Sequence, residues 1–431
     1  MHQKRSFICE LPQMKEQPIK IAGWIYHLRV LSQTTFLVVK DATGIIQCVM
    51  QTDLNSNLHL RLDDCVEVVG NLIEDPRAPN NWELHVTSIK KLSESAQMLP
   101  FNSSAVVENI SPEIKIENRP LVLRSEKHGG IFKLQAKMIE LFRRYLTENH
   151  FTEIVTSKIV ASGTEGGTNL FQMKYFEKIA YLAQSPQFYK EQCVAGLERV
   201  FETGHVYRAE PHATSRHLTE YYSLDVEMGF ISGPEEIIEL ERGLLNYMFE
   251  DLNRTHAKTL ESFGQPVLPS MEKAPTWEFG ECLERLKTSF GRTDLVDDLD
   301  GEAERQLCQL AQQEFGVPAV FVLGFPLSAR PFYTAPRGEH GAAQSFDLLF
   351  RGLEITTGGQ RLHRRSELES ALKKKRLEPA SFESHLRMFE LGMPPHGGFA
   401  IGAERLTAQI LGLSNVREAT LYPRDRNRIA P

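Results

Sequence analysis

Long apolar runs are missing from this chain of 431 residues. No stretch approaches the ~18 consecutive apolar residues of a membrane-spanning helix, so a soluble protein with no membrane partner is expected. The amino terminus, MHQKRSFICELPQMKEQ, has basic residues but no apolar core of ~7–15 residues behind them. It does not read as a secretion signal, and a cytoplasmic location is expected. Cysteine is sparse: Cys9, Cys48, Cys65, Cys193, Cys282 and Cys308 form no CxxC pair and have no neighbouring histidine at metal-ligand spacing. Buried or idle thiols are the simplest reading. Positive charge is short as well. A formal net charge of −7 excludes a protein that coats nucleic acid by bulk electrostatics, so any nucleic acid must meet a local basic surface. There is also no GxxxxGK[ST] loop and no GxGxxG after a strand, which excludes the P-loop and the Rossmann fingerprint as phosphate cradles.

The chain is long for one compact core, and a small and a large domain are expected. Residues 1–92 form the small one. Ile19, Ile21, Gly23 and Ile25 alternate with other residues, 36–40 and 45–50 flank the turn Ala42-Thr43-Gly44, and 65–70 and 82–89 complete five short β segments. With a helix around 54–62 this is the layout of an OB barrel, although strand count alone fits another small β-barrel or a sandwich equally. Residues 93–126, with Pro100, Pro112 and Pro120 and no clear periodicity, read as a hinge. The large domain spans 127–431. It opens with helical spacing at Ile131, Leu134, Met138, Leu141, Phe142 and Tyr145, and then a strand over 151–155. Helices and strands mix irregularly afterwards, which predicts an α+β fold.

Three segments concentrate polar residues that a generic core does not need. The first is Thr164-Glu165-Gly166-Gly167-Thr168, followed by Gln184-Ser185-Pro186-Gln187-Phe188-Tyr189-Lys190, where a glycine pair permits close backbone approach and Gln187 and Lys190 offer donors to one face of a small ligand. The second runs from Val200 through Arg208-Ala209-Glu210 and Thr214-Ser215-Arg216-His217-Leu218 to Leu224-Asp225-Val226-Glu227, a strand, polar loop and strand with Arg208 and Glu210 at a spacing of two. The third joins Ser345-Phe346-Asp347 and Glu354-Ile355-Thr356-Thr357-Gly358-Gly359-Gln360-Arg361 to Pro395-His396-Gly397-Gly398-Phe399 and Gly402-Ala403-Glu404-Arg405. A single arginine in such a string is more often a surface or ion-paired side chain than a ligand group. Three long strings in this order are much harder to reach by chance.

The second string resembles motif 2 of the class II aminoacyl-tRNA synthetases and the third ends in a segment similar to motif 3. The resemblance covers nearly the whole chain and points to the archaeal-type aspartyl-tRNA synthetases, with their short amino-terminal anticodon domain. It implies an OB-fold barrel followed by a class II catalytic domain, an antiparallel sheet flanked by helices. It also implies activation of L-aspartate with ATP to aspartyl-adenylate and pyrophosphate, then transfer to the 3′ end of tRNA(Asp), by a homodimer. In that family Arg208 and Arg405 would stabilise charge on the α-phosphate, with Glu210, Arg216, His217 and Glu354 completing the ATP site. Asp347, Glu354 and Thr357 are hard oxygen ligands suited to Mg²⁺ bridging phosphates. Lys190 and Arg361 would receive the aspartate side chain, Gln187 would help hold it, and Glu165 would lie in a loop that closes over it. No general base is needed, because the attacking carboxylate is already ionised at neutral pH. On the barrel, Phe36 would stack an anticodon base while Arg29 and Gln47 read base edges; a strand phenylalanine is otherwise most simply core.

The chain departs from the family pattern at three places. Ser157 stands where motif 1 carries a proline near the dimer interface, and Thr357 stands where serine is usual, keeping the ligand oxygen. Tyr26 occupies a barrel position where strict enzymes carry tryptophan and relaxed ones histidine, and its size favours a relaxed enzyme that also charges tRNA(Asn). The rival readings are an asparaginyl or amidating enzyme on the same fold, and an inactive paralogue acting as an RNA-binding module.

Overall fold

The computed structural model describes residues 4–430 apart from 15–17, 57, 105–106, 164–169, 212–213, 266 and 339–340. The chain divides into two compact units, Met1–Gly130 and Ile131–Pro431. Among the described residues no helix is long and apolar enough to cross a membrane.

In the first unit, β1 (Ile19–Val30), β2 (Thr34–Lys40), β3 (Ile45–Gln51), β4 (Cys65–Glu74) and β5 (Trp82–Ser93) close into a barrel of order β1-β2-β3-β5-β4. The period-two pattern drives it: Ile19, Ile21, Ile25, Leu37, Val39, Ile46, Cys48, Met50, Val66 and Val68 point inward as one core, and their alternates point out. A short helix, α1 (Asp53–Ser56), lies between β3 and β4. The stretch read as a hinge carries α2 (Pro112–Glu117) and α3 (Arg119–Arg124), and α4 (Glu126–Glu148) begins directly after it. Pro112 and Pro120 sit in the first turns of these helices, where a missing N–H costs nothing, so the prolines start structure instead of breaking it. This segment is tied within its unit: buried Asp63 accepts from Ser103 N at 3.0 Å and from Arg124 Nη1 at 3.0 Å.

The second unit is built on an eight-stranded sheet. In chain order its strands are β6 (Thr152–Glu153), β10 (Arg199–Tyr207), β11 (Glu220–Gly229), β12 (Thr276–Glu278), β13 (Ala319–Leu323), β16 (Ser345–Phe350), β17 (Leu353–Gln360) and β18 (His396–Gly402); in space they run β12-β13-β16-β17-β18-β11-β10-β6. All neighbours pair antiparallel except the two edge pairs, β12 with β13 and β10 with β6. Smaller sheets are formed by β7 (Ile159–Val160), β8 (Gln172–Tyr175) and β9 (Lys178–Leu182), and by β14 (Pro336–Arg337) with β15 (Ala342–Ala343). The helices are α5 (Gln187–Leu197), α6 (Pro234–Thr255), α7 (Ala257–Ser262), α8 (Phe279–Phe290), α9 (Gly301–Phe315), α10 (Arg365–Lys374), α11 (Glu383–Leu386) and α12 (Ala403–Leu411).

Strand alternation sorts the sheet into two faces. Leu224, Val226, Phe346, Leu348, Phe399 and Ile401 pack into one core with Leu141 of α4 and Leu244 and Met248 of α6. Their alternates face the other way. There α8 and α9 cover the β13–β16 end through Cys282, Leu286, Leu307, Val320, Val322 and Leu349, and the central strands are left to carry polar side chains. Gly398 is what lets β18 lie against β11, since a Cβ there would come within 1.9 Å of Val226 O.

Candidate active site

The β10–β11 hairpin ends its first strand at Tyr207, so Arg208 and Glu210 begin the connecting loop; Arg208 N donates to Thr219 O at 2.9 Å and so ties the loop's two ends. One pocket on the polar face of the sheet is lined by Arg208, Glu210, Arg216, His217, Glu354 and Arg405, together with Thr357 and Glu404. All six residues assigned to ATP in the sequence therefore meet in one place. Arg405 Nη1 donates to Glu354 O at 3.2 Å and lies 3.5 Å from Glu354 Oε1, which also accepts from Thr357 Oγ1 at 3.1 Å. His217 Nδ1 is 2.7 Å from Thr214 Oγ1. Glu404 is buried beside Arg405; both its oxygens accept from Tyr222 N at 3.1 Å, and burial pushes its carboxyl up to about 7.

The three oxygen residues assigned to a metal divide. Glu354 and Thr357 open onto this pocket, and their hard oxygens fit Mg²⁺. Asp347 lies opposite Thr357 in the β16–β17 register but is buried, and its two oxygens accept from Arg330 Nη1 and Nη2 at 3.1 and 2.7 Å. Burial lifts its carboxyl to about 6, against the pull of Arg330 and with help from Glu354. Arg330, which carried no signal in the sequence, thus holds this carboxylate as a bidentate partner.

Two residues further along β11, about 7 Å, the same face becomes a buried cluster of charge. Tyr221 and Ser223 belong to the pocket; Asp225 and Glu227 belong to the cluster. Lys190 Nζ, from α5, lies 3.2 Å from Asp225 Oδ1 and 3.3 Å from Glu227 Oε2. Arg361, just past β17, donates through Nε to Glu227 Oε1 at 3.1 Å and through Nη2 to Gly398 O at 3.0 Å. Burial opposes the charge on Arg361, but Glu227, Tyr333 and Glu191 outweigh it and its pKa rises. The guanidinium borders a second, larger cavity that is also lined by Thr334, Gln344 and Gln360.

Gln187 donates through Nε2 to Glu191 Oε1 at 2.6 Å, and the other Glu191 oxygen lies 3.5 Å from His396 Nε2 and 3.7 Å from His385 Nε2. His396 Nδ1 must donate to Pro394 O at 2.9 Å, because a carbonyl only accepts. Its Nε2 faces the Glu191 carboxylate. Burial works against both charges, yet each holds the other: Glu191 is lowered and His396 raised. The sequence contained Asp225, Glu227, Glu191 and His396 without assigning them roles; carboxylates at alternate positions of a strand, two after Ser223, were the available signal. Glu165 falls at 164–169, outside the described residues.

On the barrel, Arg29 pairs with Phe36 across β1 and β2, Phe36 with Val49 and Val38 with Gln47 across β2 and β3. The three anticodon candidates therefore share the outer face. Phe36 is half-buried and absent from the barrel core, so the alternation rules out the core reading for it. Gln47 Nε2 donates to Glu83 Oε2 at 3.1 Å, which leaves its carbonyl oxygen turned elsewhere. Tyr26 sits at a register shift in β1 under Lys40, whose Nζ is 5.4 Å from the ring centroid.

Comparison with known proteins agrees with this geometry. The family model of class II tRNA synthetases (D, K and N) matches residues 111–426, and that of the OB-fold nucleic acid binding domain matches 19–92. The chain is 43% identical over 435 residues to the Aspartate--tRNA(Asp/Asn) ligase of Deinococcus radiodurans, covering 99% of each chain. It is 42% identical to the protein of the same name from Thermus thermophilus, covering 99% of this chain and 100% of that one. Among solved structures, asparaginyl-tRNA synthetase from Pyrococcus horikoshii complexed with asparaginyl-adenylate superposes with a TM-score of 0.90 at 28% identity, over 99% of this chain and 100% of that one. A closed five-stranded barrel, a pocket that gathers the motif residues and matches along nearly the whole length converge: the chain belongs to the class II tRNA synthetases of the D, K and N group.

Proposed function

We propose that this enzyme activates L-aspartate with ATP and transfers it to tRNA. The observation that carries the choice of amino acid is the pair of buried cations, Lys190 and Arg361, at the end of the β11 face. A guanidinium suits a carboxylate, an asparagine amide would turn an N–H toward donors, and a lysine side chain would be repelled. The spacing supports the chemistry. Two residues of strand separate the nucleotide pocket from the cation cluster, so the α-carboxylate of a bound amino acid reaches the α-phosphate of a bound nucleotide. Arg208 and Arg405 then meet the charge that develops there. Glu354 and Thr357 would hold Mg²⁺, and the bound ion supplies neutralisation of the phosphate charge. The fold itself is shared with asparaginyl enzymes, so pocket charge is the discriminating feature. Amino-acid-dependent ATP–pyrophosphate exchange with aspartate, asparagine and lysine tests the reading: aspartate should support it, and preferential exchange with asparagine overturns it.

The relaxed use of tRNA rests on Tyr26, whose ring is smaller than indole, and agrees with the names of the Deinococcus and Thermus relatives. Aspartate should be attached to tRNA(Asp) and tRNA(Asn) with efficiencies within roughly tenfold, ~1.4 kcal/mol. A thousandfold preference for one transcript rules this out. A homodimer is supported by apolar side chains left on the surface around the motif 1 segment: Val155 is 94% exposed, Phe176 74% and Ile179 57%. Sedimentation should find two copies. An active monomer would mean that Ser157 has replaced the motif proline at the expense of the interface.

A further inference from the structure

Glu304 belongs to none of the three motif segments. It sits in the first turn of α9, on a helix that covers the sheet beyond the motif strands, and its side chain is 8% exposed. Both of its oxygens are engaged. Oε1 accepts from Arg216 Nη1 at 3.3 Å; Oε2 lies 3.3 Å from Arg216 Nη2 and accepts the backbone N–H of Glu354 at 3.2 Å. One carboxylate thereby joins the loop after β10 to the start of β17, the two segments that bring Arg216 and Glu354 to the nucleotide pocket.

A second feature of the same turn points the same way. A Cβ on Gly301 would lie 2.3 Å from Arg216 Nη2 and 2.9 Å from its Cζ, so the bare glycine leaves the room in which the guanidinium rests. The turn is itself fixed. Asp300 accepts from Glu302 N and Ala303 N at 3.1 and 2.8 Å as the cap of α9, and Arg292 Nη2 holds Asp300 at 2.7 Å. A long arginine on a surface loop otherwise samples many rotamers, and a nucleotide would have to order it on binding.

We propose that Glu304 and Gly301 form a positioning platform for the nucleotide: the carboxylate holds the Arg216 guanidinium at the pocket and pins the Glu354 backbone, and the glycine makes space for it. The inference rests on the reading of this pocket as the ATP site.

The test uses the full chain carrying Glu304→Gln or Gly301→Ala, with pyrophosphate exchange measured while ATP and amino acid are varied separately. Alanine in a first helical turn meets no backbone penalty, so the thermal midpoint of Gly301→Ala should hold or rise while Arg216 is pushed aside. The KM for ATP should increase about tenfold in each variant and that for aspartate should stay within about twofold. In an Arg216→Ala background, Gly301→Ala should raise the ATP constant no further. An unchanged ATP constant in both folded variants overturns the proposal. A full additional increase in the Arg216→Ala background also overturns it, because the effect then does not pass through Arg216. Arg405→Ala, assayed alongside, separates the two levels: if it leaves ATP use untouched, the pocket reading falls and the platform with it.

Discussion

Two pockets share the polar face of the sheet and treat charge in opposite ways. In the amino-acid cluster Lys190, Asp225, Glu227 and Arg361 are all buried and paired before any substrate arrives. In the pocket assigned to the nucleotide the side chains of Arg216, Arg405 and Glu354 keep 31%, 28% and 37% of their exposure, with Arg405 lying 3.2–3.5 Å from Glu354 and Arg216 held by Glu304. Under the proposed function the difference follows the ligands. Choosing one small side chain over its amide demands dry, preset donors, because only there does a mismatch leave a costly unpaired group. A nucleotide brings several charges of its own, and half-solvated guanidinium groups held from behind can meet them without a large desolvation cost. The proposed function thus places selectivity where burial is deepest.

The strongest test of that contrast removes a carboxylate from the open pocket. Glu354→Ala should reduce exchange by roughly a thousandfold or more, a barrier increase of ~4 kcal/mol, while circular dichroism and the melting midpoint stay close to those of the parent. Normal exchange at limiting Mg²⁺ would make this carboxylate structural and break the comparison.

The matching test on the buried side is Arg361→Leu. Losing this contact should cost ~2–5 kcal/mol, raising the KM for aspartate about thirtyfold or more, with the ATP constant within about twofold. Because Glu227 then stays buried without its guanidinium, this variant should also unfold more readily than Glu354→Ala. An unchanged aspartate constant places the specificity elsewhere.

Phe36→Ala should move neither pocket. Exchange should be unaffected, and aminoacylation efficiency should fall about fivefold to a hundredfold, the ~1–3 kcal/mol of one stacked base. A fall in exchange would mean that the barrel face does more than bind RNA.

The smallest effect is expected beneath the sheet, where Glu241 of α6 is buried and desolvation holds its carboxyl up at about 8. The folded chain therefore keeps a proton that the unfolded chain gives up near the ordinary carboxylic value. This contribution to stability is fully present below that value and is lost as pH rises through about 8. Glu241→Gln should gain on the parent between pH 5.5 and 8.5 by roughly 2–4 °C in melting midpoint. A gap that is equal at both pH values would show that the carboxyl titrates normally.

Much of this molecule was legible before folding. The five strands of the barrel followed from alternation, and the six residues assigned to ATP, which line one pocket, came from three motif stretches, since a motif keeps neighbours in sequence as neighbours in space. What escaped were partners at long range. Arg330 takes Asp347 from a separate loop, Glu304 reaches Arg216 across 88 residues, and Glu227 meets Arg361 across 134. The segment 93–126 reads as a hinge because its prolines suggest breakers, and the two short helices it carries were not legible, since Pro112 and Pro120 occupy the one helical turn that tolerates them. Phe36 could be core or surface until the pleat of β2 placed Leu37 and Val39 inside.

The sequence by itself determined the fold class, the family and the motif residues that gather in one pocket, because periodicity and contiguous motifs are local properties of a chain. Only the tertiary structure decided which charges are buried against which. Pairing depends on strand register and on helices that arrive from distant positions: it placed Asp347 against Arg330, balanced Lys190 and Arg361 on Asp225 and Glu227, and set Glu304 behind Arg216. An ionisable side chain has no fixed role until its solvent is replaced by specific neighbours, and those neighbours are supplied by the folded sheet.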